Sequence, residues 1–149
     1  MANDLKRTLM NAPNAVVGWV IGRLGRSPGG AELLDVRGRT SGVVRTVPVN
    51  PLELDGRRYL VAPRGETQWV KNLRVVREGV LRVGQRRDEF EVARELPDDE
   101  KAPILRAYLD RWYWQVSRQF GVPKDSTLDQ LSAIAQNHPV FEIREQTRA

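Results

Sequence analysis

VVRTVPVNPLELDGRRYLV, residues 43 to 61, places short runs of Val, Leu and Tyr on both sides of the pair Asp55-Gly56. Asp-Gly is favoured in two-residue hairpin turns because both central residues of a type I′ turn take a positive φ. Short runs rich in β-branched and aromatic residues, bounded by turn residues, are typical of strands. The stretch therefore predicts a β-hairpin within an antiparallel sheet.

The strand pattern continues on both sides of this hairpin. Apolar runs that suit strands occur at 33–36, 80–84 (VLRVG), 89–96 (EFEVAREL) and 140–143 (VFEI). Runs of strands with few helices between them favour an α+β fold on a curled sheet or small barrel over a doubly wound parallel sheet. The glycine-rich GxGxxG and GxxxxGK[ST] signatures of nucleotide-binding α/β folds are also absent.

Three helices are predicted beside this sheet. The spacing of Trp69, Leu73 and Val76 predicts a short helix over Thr67–Arg77. Asp98 is a suitable N-cap for a longer helix that reaches Phe120. The pair Thr127 and Gln130 has the spacing of a capping box, and it predicts a last helix that runs to Gln136.

The length of 149 residues suits one domain, 30–149, preceded by a helical arm over 1–29. The arm is apolar and carries four basic residues against one acidic residue, so it either packs on the domain or lies on an anionic lipid surface. The apolar stretch 15–22 is much shorter than the ~20 residues that span a bilayer. The chain has no cysteine, which excludes disulfides and thiolate sites and favours a cytoplasmic location.

The net charge of +5 indicates an acidic partner, which could be nucleic acid, anionic lipid or a phosphorylated small molecule. The arginines are spread along the chain without a dense basic tail, which argues against a nucleic-acid-binding arm. No metal site is expected, because the chain has one histidine and no cysteine.

A corner rich in glycine and hydroxyl groups, GRTSG at 38–42, lies between two predicted strands. Successive backbone N–H groups in such a turn can form an anion-binding concavity, and Arg39 and Arg45 supply guanidinium groups that suit phosphate. The alternative is an ordinary β-turn with solvated arginines.

A second candidate anion site is the stretch 63–72, PRGETQWVKN, in which a strand end and a glycine loop precede a helix. The N-terminus of a helix attracts anions, and Arg64 would face it. Trp69 and Asn72 are three residues apart and so share a helix face, where they could meet one flat ring. The alternative is that Trp69 belongs to the core and Asn72 to the surface or a cap.

The order of these motifs resembles the deazaflavin-dependent nitroreductase family of actinobacteria, the Ddn-like branch of the split β-barrel oxidoreductases. The resemblance covers about residues 30 to 145, and it rests on GRTSG, RTVPV, the D-G hairpin, YLVAPRG, W-x-x-N-L, LRVG and the ending NHPVFEIRE. It implies a split β-barrel that binds the deazaflavin coenzyme F-420, whose phosphate and oligoglutamate tail are anionic. It also implies hydride transfer from the reduced coenzyme to a quinone, nitro compound or enone, and pairing of two chains as a homodimer.

Site residues follow from this resemblance. The GRTSG corner and Arg45 would hold the anionic tail, Arg64 before the loop at Gly65 would meet phosphate, and Trp69 and Asn72 would line the deazaflavin ring. The cofactor-binding residues that it implies are Arg39, Thr40, Ser41, Gly42, Arg45, Arg64, Gly65, Trp69 and Asn72.

The proton for the acceptor would come from water or a nearby hydroxyl, for which Tyr108 and Tyr113 are candidates. The aromatic cluster that also includes Trp112 and Trp114 could wall the acceptor pocket, or it could be core packing. His138 precedes Pro139 at a strand start with no acidic residue adjacent, so it is not expected to donate a proton.

Other functions remain open at this stage. Only four residues separate Arg64 from Trp69, fewer than in many family members, and one of them, Glu66, would repel an anionic tail. This favours a relative that binds FMN, or a non-catalytic protein that binds a flavin or an apolar ligand. A basic protein at a membrane surface, with peripheral contact through the arm, is the third alternative.

Overall fold

A computed structural model describes residues 30 to 146 of the chain. Its seven strands are β1 (Glu32–Arg37), β2 (Val44–Val49), β3 (Leu52–Leu54), β4 (Arg57–Val61), β5 (Glu78–Val83), β6 (Arg86–Glu95) and β7 (Val140–Glu145). Its three α-helices are α1 (Gln68–Val76), α2 (Ala102–Phe120) and α3 (Leu128–Ile134). The predicted arm over 1–29 lies outside the described residues.

The strands form one antiparallel sheet in the order β2-β1-β5-β6-β7-β4-β3. A flat sheet of this size would be roughly 29 Å wide, because neighbouring strands lie about 4.8 Å apart. Its two edge strands, β2 and β3, are nevertheless joined by only Asn50 and Pro51. The sheet must therefore curl until its edges approach each other, which confirms the predicted α+β split-barrel architecture.

Two groups of buried apolar side chains hold this sheet in place. The first lies between the concave sheet and α1, and it includes Leu34, Leu60, Val70, Leu73 and Phe141. The second joins α2 and α3 to the β3–β4 end, and it includes Leu52, Tyr59, Leu105, Trp112 and Leu131. The N-terminus of α1 and one face of α2 are thus fixed beside the edge strand β2.

Local signals predicted several elements correctly. The hairpin turn has φ 53° at Asp55 and φ 76° at Gly56, as the Asp-Gly pair requires. The Thr127 hydroxyl accepts the Gln130 backbone N–H, while the Gln130 side chain accepts the Thr127 N–H, which confirms the capping box.

The predicted N-cap at Asp98 is wrong. Asp98–Glu100 form a separate 3-10 turn, and α2 begins at Ala102 without a side-chain cap. Pro103 occupies the first turn of α2, where a residue without an N–H costs no hydrogen bond. The last helix also ends earlier than predicted, at Ile134, and a 3-10 turn continues to Asn137. Among residues 30–146, no helix has both the length and the apolar character needed to cross a membrane.

Candidate functional site

A cleft of about 1040 Å³ lies beside β2, the N-terminus of α1 and one face of α2. Seven of the nine predicted cofactor-binding residues line it: Arg39, Thr40, Ser41, Arg45, Arg64, Trp69 and Asn72. Gly42 and Gly65 shape the adjacent turns without lining the cleft. The curled sheet therefore brings the GRTSG corner and the start of α1, which are about 25 residues apart in sequence, to one place.

The corner is closed by its own hydrogen bonds. The Gly38 N–H donates to the Val43 carbonyl at 2.8 Å, and the Gly42 N–H donates to the Gly38 carbonyl at 2.9 Å. Ser41 Oγ accepts the Val43 N–H at 3.1 Å, so that hydroxyl has a role inside the turn. A Cβ on Gly38 would lie 2.5 Å from Ser41 Oγ, and Gly42 has φ +72°, so both glycines are required by the turn itself.

Asn72 links this corner to α1. Its side-chain oxygen accepts the Arg39 backbone N–H at 3.0 Å and the Arg39 guanidinium at 2.8 Å. The same guanidinium nitrogen donates to Gln68 Oε1 at 3.1 Å. Asn72 is buried, so the structure gives it a partner in the protein as well as a position in the cleft wall.

The cleft arginines are available for a ligand. Among residues 30–146, Arg39, Arg45 and Arg64 form no ion pair, whereas arginines outside the cleft such as Arg74 and Arg82 are paired with carboxylates. Cationic side chains that converge on a cleft without carboxylate partners attract an anion.

The start of α1 adds uncharged donors to the same region. Thr67 precedes the helix and lines the cleft, and its Oγ1 is buried without a hydrogen-bond partner among residues 30–146. The first N–H groups of any α-helix also lack intrahelical partners, and they carry the positive end of the helix dipole. Thr67 carries no sequence signal for such a role, because a threonine before a helix ordinarily caps it, whereas this one makes no side-chain cap hydrogen bond.

Glu66 does not line this cleft. Its carboxylate accepts two hydrogen bonds from Arg74, at 2.9 and 3.0 Å, and Arg74 also binds Glu95. The hydrogen bond with Arg74 holds the pKa of Glu66 below its usual value. The negative charge expected to repel an anionic ligand is therefore compensated on the surface beside the cleft.

The α2 wall of the cleft is lined by neutral polar and apolar side chains. Tyr108, Gln115, Val116 and Gln119 line it from the helix, and Asn50 lines it from the end of β2. Asn50 Nδ2 donates to Gln115 Oε1 at 3.1 Å. Burial raises the pKa of Tyr108 to about 12, and a hydrogen bond with Asn50 opposes that rise. Asn50, Gln115 and Gln119 could not be found from sequence, because neutral amides show no distinctive spacing.

Trp69 lies in the cleft wall and also packs against the core. Its half-buried ring lines the cleft, and it packs against the core with its centroid 6.2 Å from that of Phe141. An aromatic wall of this kind suits a flat ligand.

The other aromatic and titratable candidates lie outside the cleft. The Tyr113 hydroxyl donates to the Val122 carbonyl at 3.0 Å, and Trp112 is buried in the core beside Tyr108. His138 is buried, its Nδ1 lies 3.2 Å from the Ala62 carbonyl oxygen, and its ring stacks on Phe120. Burial lowers the pKa of His138. Within the described part of the chain, no three His, Cys, Asp or Glu residues are grouped as a metal site would require.

Comparisons with known proteins identify a family and similar folds. A family model described as F420H(2)-dependent quinone reductase matches residues 5 to 128. A search of curated proteins found no match.

Three solved structures are similar in fold. A chain described as a domain-swapped dimer is 17% identical, with 97% of this chain and 100% of that chain covered and a TM-score of 0.56. The protein Atu2129 of Agrobacterium tumefaciens, of unknown function, is 17% identical, with 91% of this chain and 56% of that chain covered and a TM-score of 0.54. A chain described as an F420 reductase is 11% identical, with 78% of this chain and 86% of that chain covered and a TM-score of 0.50.

Proposed function

The chain belongs to the F420H(2)-dependent quinone reductase family, and we propose that the cleft between β2, α1 and α2 is where this oxidoreductase binds coenzyme F-420 and a quinone-type acceptor. The observation that carries this assignment is the convergence of three arginines without ion pairs on one cleft. The phosphate and the oligoglutamate tail of the coenzyme are anionic, and they would be the partners that these arginines lack.

The residues present fit such a group. Arg39 at the corner, Arg45 on β2 and Arg64 before α1 offer guanidinium groups to phosphate or carboxylate oxygens. Thr67 Oγ1, which is buried without a partner, is a polar atom that a bound anion would satisfy. Asn72 holds Arg39 in the cleft before any ligand arrives, so less conformational entropy is lost on binding.

The remaining walls suit the ring and the acceptor. When reduced, the deazaflavin supplies the hydride, so the protein requires neither a nucleophile nor a metal. Trp69 provides a flat apolar surface, and Val47 and Val49 of β2 add apolar side chains to the cleft wall. The protein thus contributes orientation and desolvation, which account for catalysis when the cofactor carries the chemistry.

The first test is an equilibrium titration of the full-length protein with F-420 and, in parallel, with FMN, followed by ligand fluorescence. We expect F-420 to bind and FMN to bind much more weakly. Arg39→Ala and Arg64→Ala should each raise the Kd for F-420 about tenfold or more, because charge-assisted hydrogen bonds are lost.

Arg57→Ala is the matched control. Arg57 is exposed on β4, outside the cleft, and its guanidinium lies 3.7 Å from the Glu142 carboxylate. We expect no change in Kd for this variant. Preferential binding of FMN, or equal losses in all three variants, would contradict the assignment, and a steep salt dependence of binding to DNA or liposomes would favour a general basic surface instead.

Assembly and location are further proposals. We propose a homodimer, which similarity to a domain-swapped dimer supports, and light scattering of the purified protein would test it. We also propose a cytoplasmic enzyme whose residues 1–29 contact the inner face of the membrane. Sedimentation with anionic but not with zwitterionic vesicles is the expected result.

A further inference from the structure

One hydrogen bond joins the end of β2 to α2 inside the cleft. Asn50 Nδ2 donates to Gln115 Oε1 at 3.1 Å, across 65 positions of sequence. Both side chains are half-buried and both line the cleft. The cationic residues described above take no part in this contact.

The hydrogen bond fixes the direction of the Gln115 amide. Because Oε1 accepts from Asn50, rotating the amide by half a turn would place two NH₂ groups against each other. Gln115 Nε2 has no partner among the described residues, so its N–H groups remain available.

The wall around Gln115 is uncharged. The other residues that α2 contributes to the cleft are Tyr108, Val116 and Gln119. The cleft arginines come instead from the corner, β2 and the loop before α1. The α2 wall is therefore suited to a neutral molecule whose oxygen can accept a hydrogen bond.

We propose that Gln115 is a specificity-determining residue, which donates an N–H to the carbonyl or nitro oxygen of the hydride acceptor, and that Asn50 is its positioning residue. This inference rests on the proposed function. The reduced coenzyme is oxidised as a hydride passes to the acceptor, the acceptor oxygen gains negative charge, and that oxygen then takes a proton from water. A donor at this oxygen binds the transition state more strongly than the ground state, which raises kcat/KM.

The test uses the full chain with reduced F-420 and two acceptors. One acceptor is a naphthoquinone, whose oxygens can accept the hydrogen bond, and the other is an N-methylphenazinium dye, which has no oxygen. Gln115→Met keeps the length of the side chain and removes the donor without adding charge. We expect kcat/KM for the naphthoquinone to fall about tenfold, while kcat/KM for the dye and the Kd for F-420 change less than twofold.

Gln136→Met is the matched control, because Gln136 is exposed and lies outside the cleft. Asn50→Leu is a second variant, in which a neutral side chain of similar size removes the donor that orients the Gln115 amide. We expect a smaller but equally selective loss with the naphthoquinone, and no additional loss when Asn50→Leu is combined with Gln115→Met.

The outcomes separate this inference from the function on which it rests. If the unmodified protein neither binds F-420 nor reduces either acceptor, the proposed function fails and the role of Gln115 fails with it. If the unmodified protein is active and Gln115→Met loses activity equally with both acceptors, or keeps its activity with the naphthoquinone, only the inference about Gln115 is overturned.

Discussion

The Asn72 side-chain oxygen accepts two hydrogen bonds from Arg39, one from the backbone N–H at 3.0 Å and one from the guanidinium at 2.8 Å. A single buried oxygen thus fixes both the path of the GRTSG corner and the direction of its arginine. The resemblance to deazaflavin enzymes implies contact between Asn72 and the deazaflavin ring. The structure shows a contact with Arg39 instead, and from it we expect a second role, in which Asn72 affects coenzyme binding by orienting Arg39.

Asn72→Ala tests this second role. We expect the free energy of unfolding to fall by about 1–3 kcal/mol, because the Arg39 N–H loses its partner, and the Kd for F-420 to rise about fivefold or more. Asn137→Ala, at an exposed position, should change both quantities little. The measurements are thermal unfolding and the fluorescence titration.

A double-mutant cycle with Arg39→Ala then separates the two roles of Asn72. If Asn72 acts through Arg39, the two losses of affinity should not add. Fully additive losses would show instead that Asn72 contacts the coenzyme independently of Arg39.

Thr67→Val should weaken F-420 binding without lowering the stability of the protein. The Thr67 hydroxyl is buried without a partner and makes no cap hydrogen bond, so replacing it with a methyl group of similar size should leave the apo protein equally stable or up to about 1 kcal/mol more stable. The same change should weaken F-420 binding about fivefold or more, because a donor to the anion is lost. Weaker binding together with a large loss of stability would point to a structural role.

Tyr108→Phe tests the proton donor. A pKa of about 12 means that the hydroxyl keeps its proton throughout the neutral range but is a weak acid there. We therefore expect kcat for a quinone to fall less than tenfold, with water as the proton source, and no tyrosine ionisation in the pH profile below about pH 10. A fall of about 100-fold or more would identify Tyr108 as the acid.

Tyr113→Phe is the control for this experiment. The Tyr113 hydroxyl is bonded to the Val122 carbonyl outside the cleft. Its removal should lower stability by about 1 kcal/mol and leave kcat unchanged.

Asp35→Asn should alter the response of stability to acid. Burial alone would raise the pKa of Asp35, but hydrogen bonds from Arg82 and Thr46, with the charge of Arg82, outweigh burial and lower it. A carboxyl whose pKa is lowered by folding stabilises the protein above its unfolded pKa, about 3.9, and that contribution is lost as the pH falls through the folded value. The difference in Tm between the unmodified protein and Asp35→Asn should thus be constant above about pH 5 and shrink below about pH 4. A difference independent of pH would show that ionisation of Asp35 contributes nothing.

Elements with local signals could be predicted from the sequence alone. Asp55-Gly56 specified the hairpin because φ > 0 is required at two adjacent positions, and Thr127 with Gln130 specified a helix start because a capping box closes within one turn. The order of the motifs along the chain was sufficient to indicate the family and its cofactor. The N-cap at Asp98 failed because Pro103, five residues later, suits the first turn of α2.

The candidate site, in contrast, depends on contacts between residues that are distant in sequence. Three features of the site depend on residues between 8 and 65 positions away. They are whether Asn72 faces a ligand or holds Arg39, whether Glu66 repels an anion or pairs with Arg74, and which amide Asn50 meets. Local propensity acts over a few residues, whereas Arg39 meets Asn72 and Asn50 meets Gln115 because the sheet curls and the helices pack beside its edge. The closing of that sheet, with α1 and α2 packed beside its edge, turns separate arginines and amides into one cleft.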